Sequence, residues 1–331
     1  MARWLPVGLM AVLLLGPTPV RAGQLVVACW NVENLFDTVD DPKVELDEEY
    51  TPTAEKKWTP ERLKRKLKNL AGVIRSMNDG KGPDVLGLGE IENRLVLEML
   101  VTELAPLNRD YRIVHQDSPS DRGIDTAILY DAKVAKLLAS TFVFIDADKT
   151  RDSTFAELEV AGQKLVVSMN HWPSRGNPEP ARITAAQTVR KRIDAMLKDD
   201  PNTAIIVMGD LNDEPTNVSI RDHLKAVTDP AARTGDQLLN TAKELPSGIK
   251  GTYVYQNKWE FIDHLIVSPG LLRPTGLRWK AGSTVPYVTP EQIFTPNNPN
   301  QIPRPNRSYT GNNYHATGIS DHLPVIATFE Y

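Results

Sequence analysis

The chain has one cysteine, Cys29, so no internal disulfide can form and the core must hold by burial. Histidine is sparse as well, with six in 331 residues, which argues against a structural zinc site. There is no G-x-S-x-G elbow, no P-loop and no G-x-G-x-x-G fingerprint. Ser320 adjoins Asp321 and His322, too close in sequence for a serine triad. After residue 22 no apolar run is long enough to cross a bilayer, so stable membrane insertion is not expected. Neither charge dominates. The formal net charge of −4 argues against a general nucleic-acid coat, which draws on surplus Lys and Arg, but leaves room for a local basic rim. Repeats and long low-complexity tracts are also missing.

What is present begins with a segment of export type. Arg3 precedes an apolar run from Val7 to Leu15, then Gly16, Pro17, Pro19 and Val20-Arg21-Ala22. A positive start, a hydrophobic stretch too short to span and small residues at a cleavage point make residues 1–22 a signal peptide. An uncleaved anchor is the competing reading. A single soluble domain, 23–331, is expected, secreted or periplasmic and monomeric. Losing Arg3 and Arg21 takes the charge from −4 to −6. Val26-Val27-Ala28-Cys29 loosely resembles a lipoprotein cleavage box, but the apolar run ends well before it. Residues 25–30 read better as a covered strand with a buried thiol.

Further along, Thr59-Pro60 starts a helix with an apolar stripe at Leu63, Leu67, Leu70, Ile74 and Met77. Its basic residues, Arg62, Lys64, Arg65, Lys66 and Lys68, read as a solvated face. Strands are expected near 84–88, 111–116, 125–130, 138–145, 153–160, 165–169, 204–208, 252–256, 261–267 and 323–329. Helices are expected over 95–105, about 181–197, and after Pro215. Residues 284–313, rich in Pro and Asn, read as a long irregular loop, open between helping to select substrate and being variable surface. Strands and helices are mixed, with at least one hairpin, which predicts an α/β sandwich and not a purely parallel sheet.

The strands share a feature: their ends carry carboxylates, amides and imidazoles. These are Asn31, Gly89-Glu90-Ile91-Glu92-Asn93, Asn170-His171-Trp172, Gly209-Asp210-Leu211-Asn212-Asp213, Asp263-His264 and Ser320-Asp321-His322. Each alone could be turn chemistry. Six at successive strand ends point to one ligand site. Hard oxygen donors such as Glu90, Asp210, Asp321, Asn31 and Asn212 suit Mg²⁺, Mn²⁺ or Ca²⁺. A hard cation beside two histidines suits attack by water on a phosphate.

Trp30-Asn31-Val32-Glu33-Asn34, then the Glu90, His171, Asp210 and Asp263 motifs, then Ser320-Asp321-His322-Leu323-Pro324-Val325, follow in this order. Together they resemble the endonuclease/exonuclease/phosphatase superfamily of deoxyribonuclease I-like enzymes, over residues 25–331. The resemblance implies a four-layer sandwich of two mixed sheets flanked by helices. It also implies a divalent metal, Mg²⁺ first, on Glu90 with Asn31, Asp321 and Asp210. His322 would be the base and Asp263 its orienter. Asp210 would position water, and Asn212 and His171 would hold a phosphate oxygen. Arg122 and Arg175 are candidates to clamp phosphate, or surface ion pairs. Asp125 is open between orienting His171 and merely starting a strand. Trp172 reads as packing, and Glu92 and Asp213 as supporting hydrogen bonds.

The segments after Asn212 and around Asp263 depart from the inositol phosphatase pattern, and no aromatic membrane hairpin of the sphingomyelinase kind is evident. A nuclease acting on DNA or RNA is therefore the favoured expectation. A lipid or small-molecule phosphodiesterase or phosphatase comes next, and a non-catalytic binding protein on the same scaffold is the reading of another class.

Overall fold

β1 (Gln24–Leu35) is buried along nearly its whole length because its two faces meet different layers. Leu25, Val27 and Cys29 point into the space between two sheets, whereas Ala28, Trp30 and Val32 point at helices. The computed structural model describes residues 23–147, 150–242 and 248–331. The signal peptide expected at 1–22 lies outside them.

β2 (Val85–Ile91) runs parallel to β1, and β3 (Tyr111–His115) and β4 (Asp125–Asp131) continue the sheet in the order β1-β2-β4-β3. On the other side of β1 lies the antiparallel C-terminal strand Val325–Glu330, edged by Arg278–Trp279 and Val285–Pro286. The second sheet uses β5 (Ala135–Val143), β6 (Ser153–Val160), β7 (Gln163–His171), β8 (Ala204–Asp210), β9 (Ala226–Val227) and β10 (Leu238–Asn240). A separate hairpin, β11 (Tyr253–Tyr255) and β12 (Lys258–Glu260), then leads into β13 (Asp263–Val267). The second sheet is ordered β5-β6-β7-β8-β13-β10-β9, with β7 and β8 parallel and β13 antiparallel to β8.

Apolar side chains of both sheets, among them Val27, Val85, Ile128, Leu158, Val167, Met208 and Leu265, fill the interior between them. α1 (Pro60–Gly80) and α2 (Arg94–Glu103) cover the outer face of the first sheet, and α3 (Glu179–Asp199) that of the second. The result is the expected four layers. No described helix is long and apolar enough to cross a membrane.

The local signals worked as chemistry dictates. Thr59 caps α1 by accepting the Arg62 N–H at 3.4 Å, and the whole predicted stripe from Leu63 to Met77 is buried. Lys66 departs from the expected solvated face, being only 1% exposed. The helix expected after Pro215 is a five-residue turn, Ser219–His223. The loop at 284–313 is more ordered than its composition suggests. Ile293–Phe294 pairs with Arg304–Pro305, and Tyr309–Thr310 with Asn313–Tyr314. Tyr309 and Tyr314 are held by packing on Trp58, a long-range contact that composition cannot reveal.

Candidate active site

Topology gathers the six motifs. β1 and β2 are parallel, and so are β7 and β8, so all four finish at one edge of the sandwich. Strands antiparallel to them, β13 and the C-terminal strand, begin at that edge. The register sets His171 and Asp263 on either side of Asp210, and Asn31 beside Gly89. Gly209 takes φ +122°, and a Cβ there would lie 2.0 Å from the Asn170 carbonyl oxygen, so only glycine permits this approach of β7 and β8. Asn31, Glu90, His171, Asp210, Asn212, Asp321 and His322 line one cleft of about 620 Å³.

His322 is 6% exposed and its Nδ1 lies 2.8 Å from Oδ2 of the fully buried Asp263. That bond sets the tautomer with Nδ1–H donating, so Nε2 faces the cleft, 3.8 Å from Asp210 Oδ2 and 3.9 Å from Asp321 Oδ1. The Tyr253 ring stacks on the imidazole, with centroids 4.7 Å apart. Burial pushes the His322 pKa down, but the Asp263 and Asp210 carboxylates outweigh it and hold the ring well above its ordinary value. His171 behaves oppositely. Burial and the Arg151 and Arg122 guanidinium groups hold it well below its ordinary value, so it is neutral. Its Nε2 stands 3.6 Å from Asp210 Oδ2 and 3.9 Å from Glu90 Oε1, and its buried Nδ1 has no partner.

Burial and the nearby Asp263 carboxylate raise the Asp210 carboxyl to about 7, although His322 opposes the rise. For Glu90, burial is countered by Arg122, His322 and Arg151, which together hold its carboxyl below the usual range. The Asn34 N–H fixes Glu90 Oε2 at 2.8 Å and leaves Oε1 toward the cleft. Glu90, Asp210 and Asp321 thus offer hard carboxyl oxygens to the same cleft, a donor set that fits a divalent cation. Asn31 is differently placed from expectation. Its Oδ1 accepts the Glu33 N–H at 3.0 Å, while its Nδ2 lies 3.1 Å from Asp210 and 3.4 Å from Glu90. In this orientation it spaces two carboxylates, and ligation through oxygen requires the carboxamide to turn over. Asp210, Asp263 and His322 also have ligand atoms within 4.8 Å of one another. We read these as a proton-handling set, because Asp263 already holds His322.

The remaining candidates divide. Arg122 lines the cleft and donates to Asn34 Oδ1 at 2.7 Å. Arg175 also lines it, but both of its terminal nitrogens bind Glu260, so of the two readings left open by sequence it takes the ion pair. Asn212 spends one N–H on the Trp172 carbonyl at 3.0 Å. Asp125 does not reach His171; it binds His115 Nε2 at 2.9 Å. Trp172 is fully buried packing. Asp213 accepts from Ser219 Oγ and Glu92 from the Asp37 N–H, both as support.

Arg151 and Tyr253 are among the cleft residues that escaped the sequence. Arg151 is 7% exposed, its Nε has no partner, and burial beside Arg122 lowers its pKa to about 10. It precedes β6, which is antiparallel to β7, so the start of one strand lies beside the end of the other. Attention to strand starts as well as ends finds it.

The chain matches the sequence profile of the Endonuclease/Exonuclease/phosphatase family over residues 26–331. No curated protein matches it in sequence. Among solved structures it is similar to an endonuclease/exonuclease/phosphatase family protein from Bacteroides thetaiotaomicron, at 15% identity and a TM-score of 0.61 over 94% of this chain and 96% of that one. A mannosyl-6-phosphatase of the same organism gives 17% identity and 0.60 over 93% and 100%. A D. rerio TDP2 complexed with a single-strand DNA product gives 16% identity and 0.57 over 92% and 98%.

Proposed function

Since the chain belongs to the endonuclease/exonuclease/phosphatase family and is a phosphoric ester hydrolase of that divalent-metal-dependent type, we propose that it cleaves nucleic-acid phosphodiesters with His322 as the base. The observation that carries this reading is the Asp263–His322 pair opening onto a cleft that also holds the carboxylates Glu90, Asp210 and Asp321 and the guanidinium groups of Arg122 and Arg151.

Asp263 keeps the proton on His322 Nδ1, so in the deprotonated ring Nε2 is the atom that takes a proton from water. Asp210 Oδ2, 3.8 Å from that nitrogen, orients the water. Neutral His171 and the free N–H of Asn212 hold a non-bridging phosphate oxygen, and the buried guanidinium of Arg151 draws the anion in. Glu90 and Asp321, with Asp210, would hold a divalent cation, Mg²⁺ in our reading with Mn²⁺ or Ca²⁺ as substitutes. When bound it supplies charge neutralisation at the phosphate oxygens. Residues 1–22 direct export to the periplasm or medium, which N-terminal sequencing of the mature protein tests.

Similarity to a mannosyl-6-phosphatase favours a second reading in which the same site takes a small phosphorylated sugar. The discriminating experiment assays plasmid DNA, RNA, sphingomyelin, bis(4-nitrophenyl) phosphate and a sugar phosphate with Mg²⁺, Mn²⁺ and Ca²⁺ in turn. The expected result is cleavage of nucleic acid, abolished by chelation and restored by metal. Turnover of the sugar phosphate or the lipid, with DNA and RNA both intact, would transfer the function to that class.

A further inference from the structure

On the assignment of His322 as base, we infer that Lys66 is a positioning residue, whose buried ammonium ties Asp321–His322 to the end of β1 through Ile319 and Ser320. Lys64, Arg65 and Lys68 on α1 stand in solvent, but Lys66 is 1% exposed. A buried ammonium is costly unless its donors are matched, and here they are. Nζ donates to the Ile319 carbonyl at 2.6 Å and to Ser308 Oγ at 2.7 Å, and lies 3.5 Å from Glu33 Oε2. Glu33 accepts in turn from the N–H groups of Ser308 at 2.6 Å and Tyr309 at 3.4 Å. Three segments remote in sequence therefore meet at one nitrogen.

From Ile319 the tie runs on to the imidazole. Ser320 Oγ donates to the Asn31 carbonyl at 2.7 Å and accepts the His322 N–H at 3.1 Å. Trp30 Nε1 donates to the His322 carbonyl at 2.9 Å. The backbone of His322 is thereby indexed to the strand that ends beside Glu90. Among side chains of this size only an ammonium places three donors at one point. A methionine fills the space and breaks the tie.

Lys66→Met should lower kcat by about 10²-fold, the cost of a misplacement of roughly 1 Å, with KM held within about threefold. Calorimetric titration with Mn²⁺ should show Kd rising about tenfold as Asp321 drifts from Glu90. Adding Glu33→Gln removes the carboxylate left without its partner. Lys66→Met/Glu33→Gln should therefore regain thermal midpoint and not kcat. Ser320→Ala acts on the same tie, so Lys66→Met/Ser320→Ala should fall no further than the worse single variant. Recovery of kcat along with stability in the Glu33→Gln double variant would overturn the inference. So would multiplying losses in the Ser320→Ala double variant, or a kcat within about threefold of the parent for Lys66→Met. Should Lys66→Met not fold, Ser320→Ala alone decides, and parental kcat and Mn²⁺ affinity would sink the tie. An active His322→Ala enzyme would refute the base assignment. An inactive one beside an unimpaired Lys66→Met would refute the tie alone.

Discussion

The cleft has two imidazoles at nearly the same distance from the same oxygen, yet their walls drive them apart. His171 and His322 stand 3.6 and 3.8 Å from Asp210 Oδ2, and both are almost fully buried. His171 faces Arg151 and Arg122 and has no partner on Nδ1, so it stays neutral. His322 has Asp263 on Nδ1 and Asp321 nearby, so it holds a proton readily. Residue type and burial are shared, and the difference comes from which charges stand behind each ring. One wall suits a fixed hydrogen-bond donor, the other proton transfer.

The sharpest way to break this contrast is to remove each ring in turn. His322→Ala should lower turnover by about 10²–10⁴-fold with the fold intact by circular dichroism, the range for a lost general base. His171→Ala should lower kcat by about 10²-fold, as for one lost transition-state donor. Near-normal turnover without His322, or a larger loss from His171→Ala than from His322→Ala, would erase the division of labour.

A smaller effect separates the walls by pH in chelated protein. An unfolded histidine titrates near about 6.5. The folded pKa of His322 is raised, so its stabilisation is complete below that value and is lost as pH rises through the folded pKa. The folded pKa of His171 is lowered, so its penalty is absent above that value and grows as pH falls below it. Relative to parent, His322→Asn should lose most thermal stability at acid pH, and His171→Asn should gain there. Shifts of the same sign would show that the walls do not differ.

The smallest effect is expected at Arg175, already bound to Glu260 at the partly exposed rim. Arg175→Ala should change KM by less than about threefold, as for a surface pair. A larger rise would mean that substrate pulls Arg175 from Glu260.

Much of this was legible in the sequence because parallel strands deliver their ends to one edge. Glu90, His171 and Asp210 could be read from apolar runs that stop in polar clusters, and the buried stripe of α1 from its period. What stayed hidden depends on partners distant in the chain. Arg151 acquires meaning only when β6 turns back along β7. Asp125 sits at a strand start near the correct edge, yet its carboxylate binds His115 instead of His171. Lys66 carries the same letter as its solvated neighbours, and only the acceptors at Ser308 and Ile319 distinguish it.

Around the cleft, Glu33, Asn34, Glu90 and Asn212 all adopt left-handed backbone, with φ of 53–63°. Glu33 and Glu90 thereby depart from the conformation their side chains prefer, at a cost of order 1 kcal/mol or more, whereas asparagine tolerates it. Selection for heat resistance alone would therefore drift toward glycine at Glu90, relaxing the chain while discarding a carboxylate that lines the cleft. On the proposed function, tolerance of heat and capacity for hydrolysis compete at that peptide unit, so a thermostable descendant finds its gains elsewhere in the sandwich.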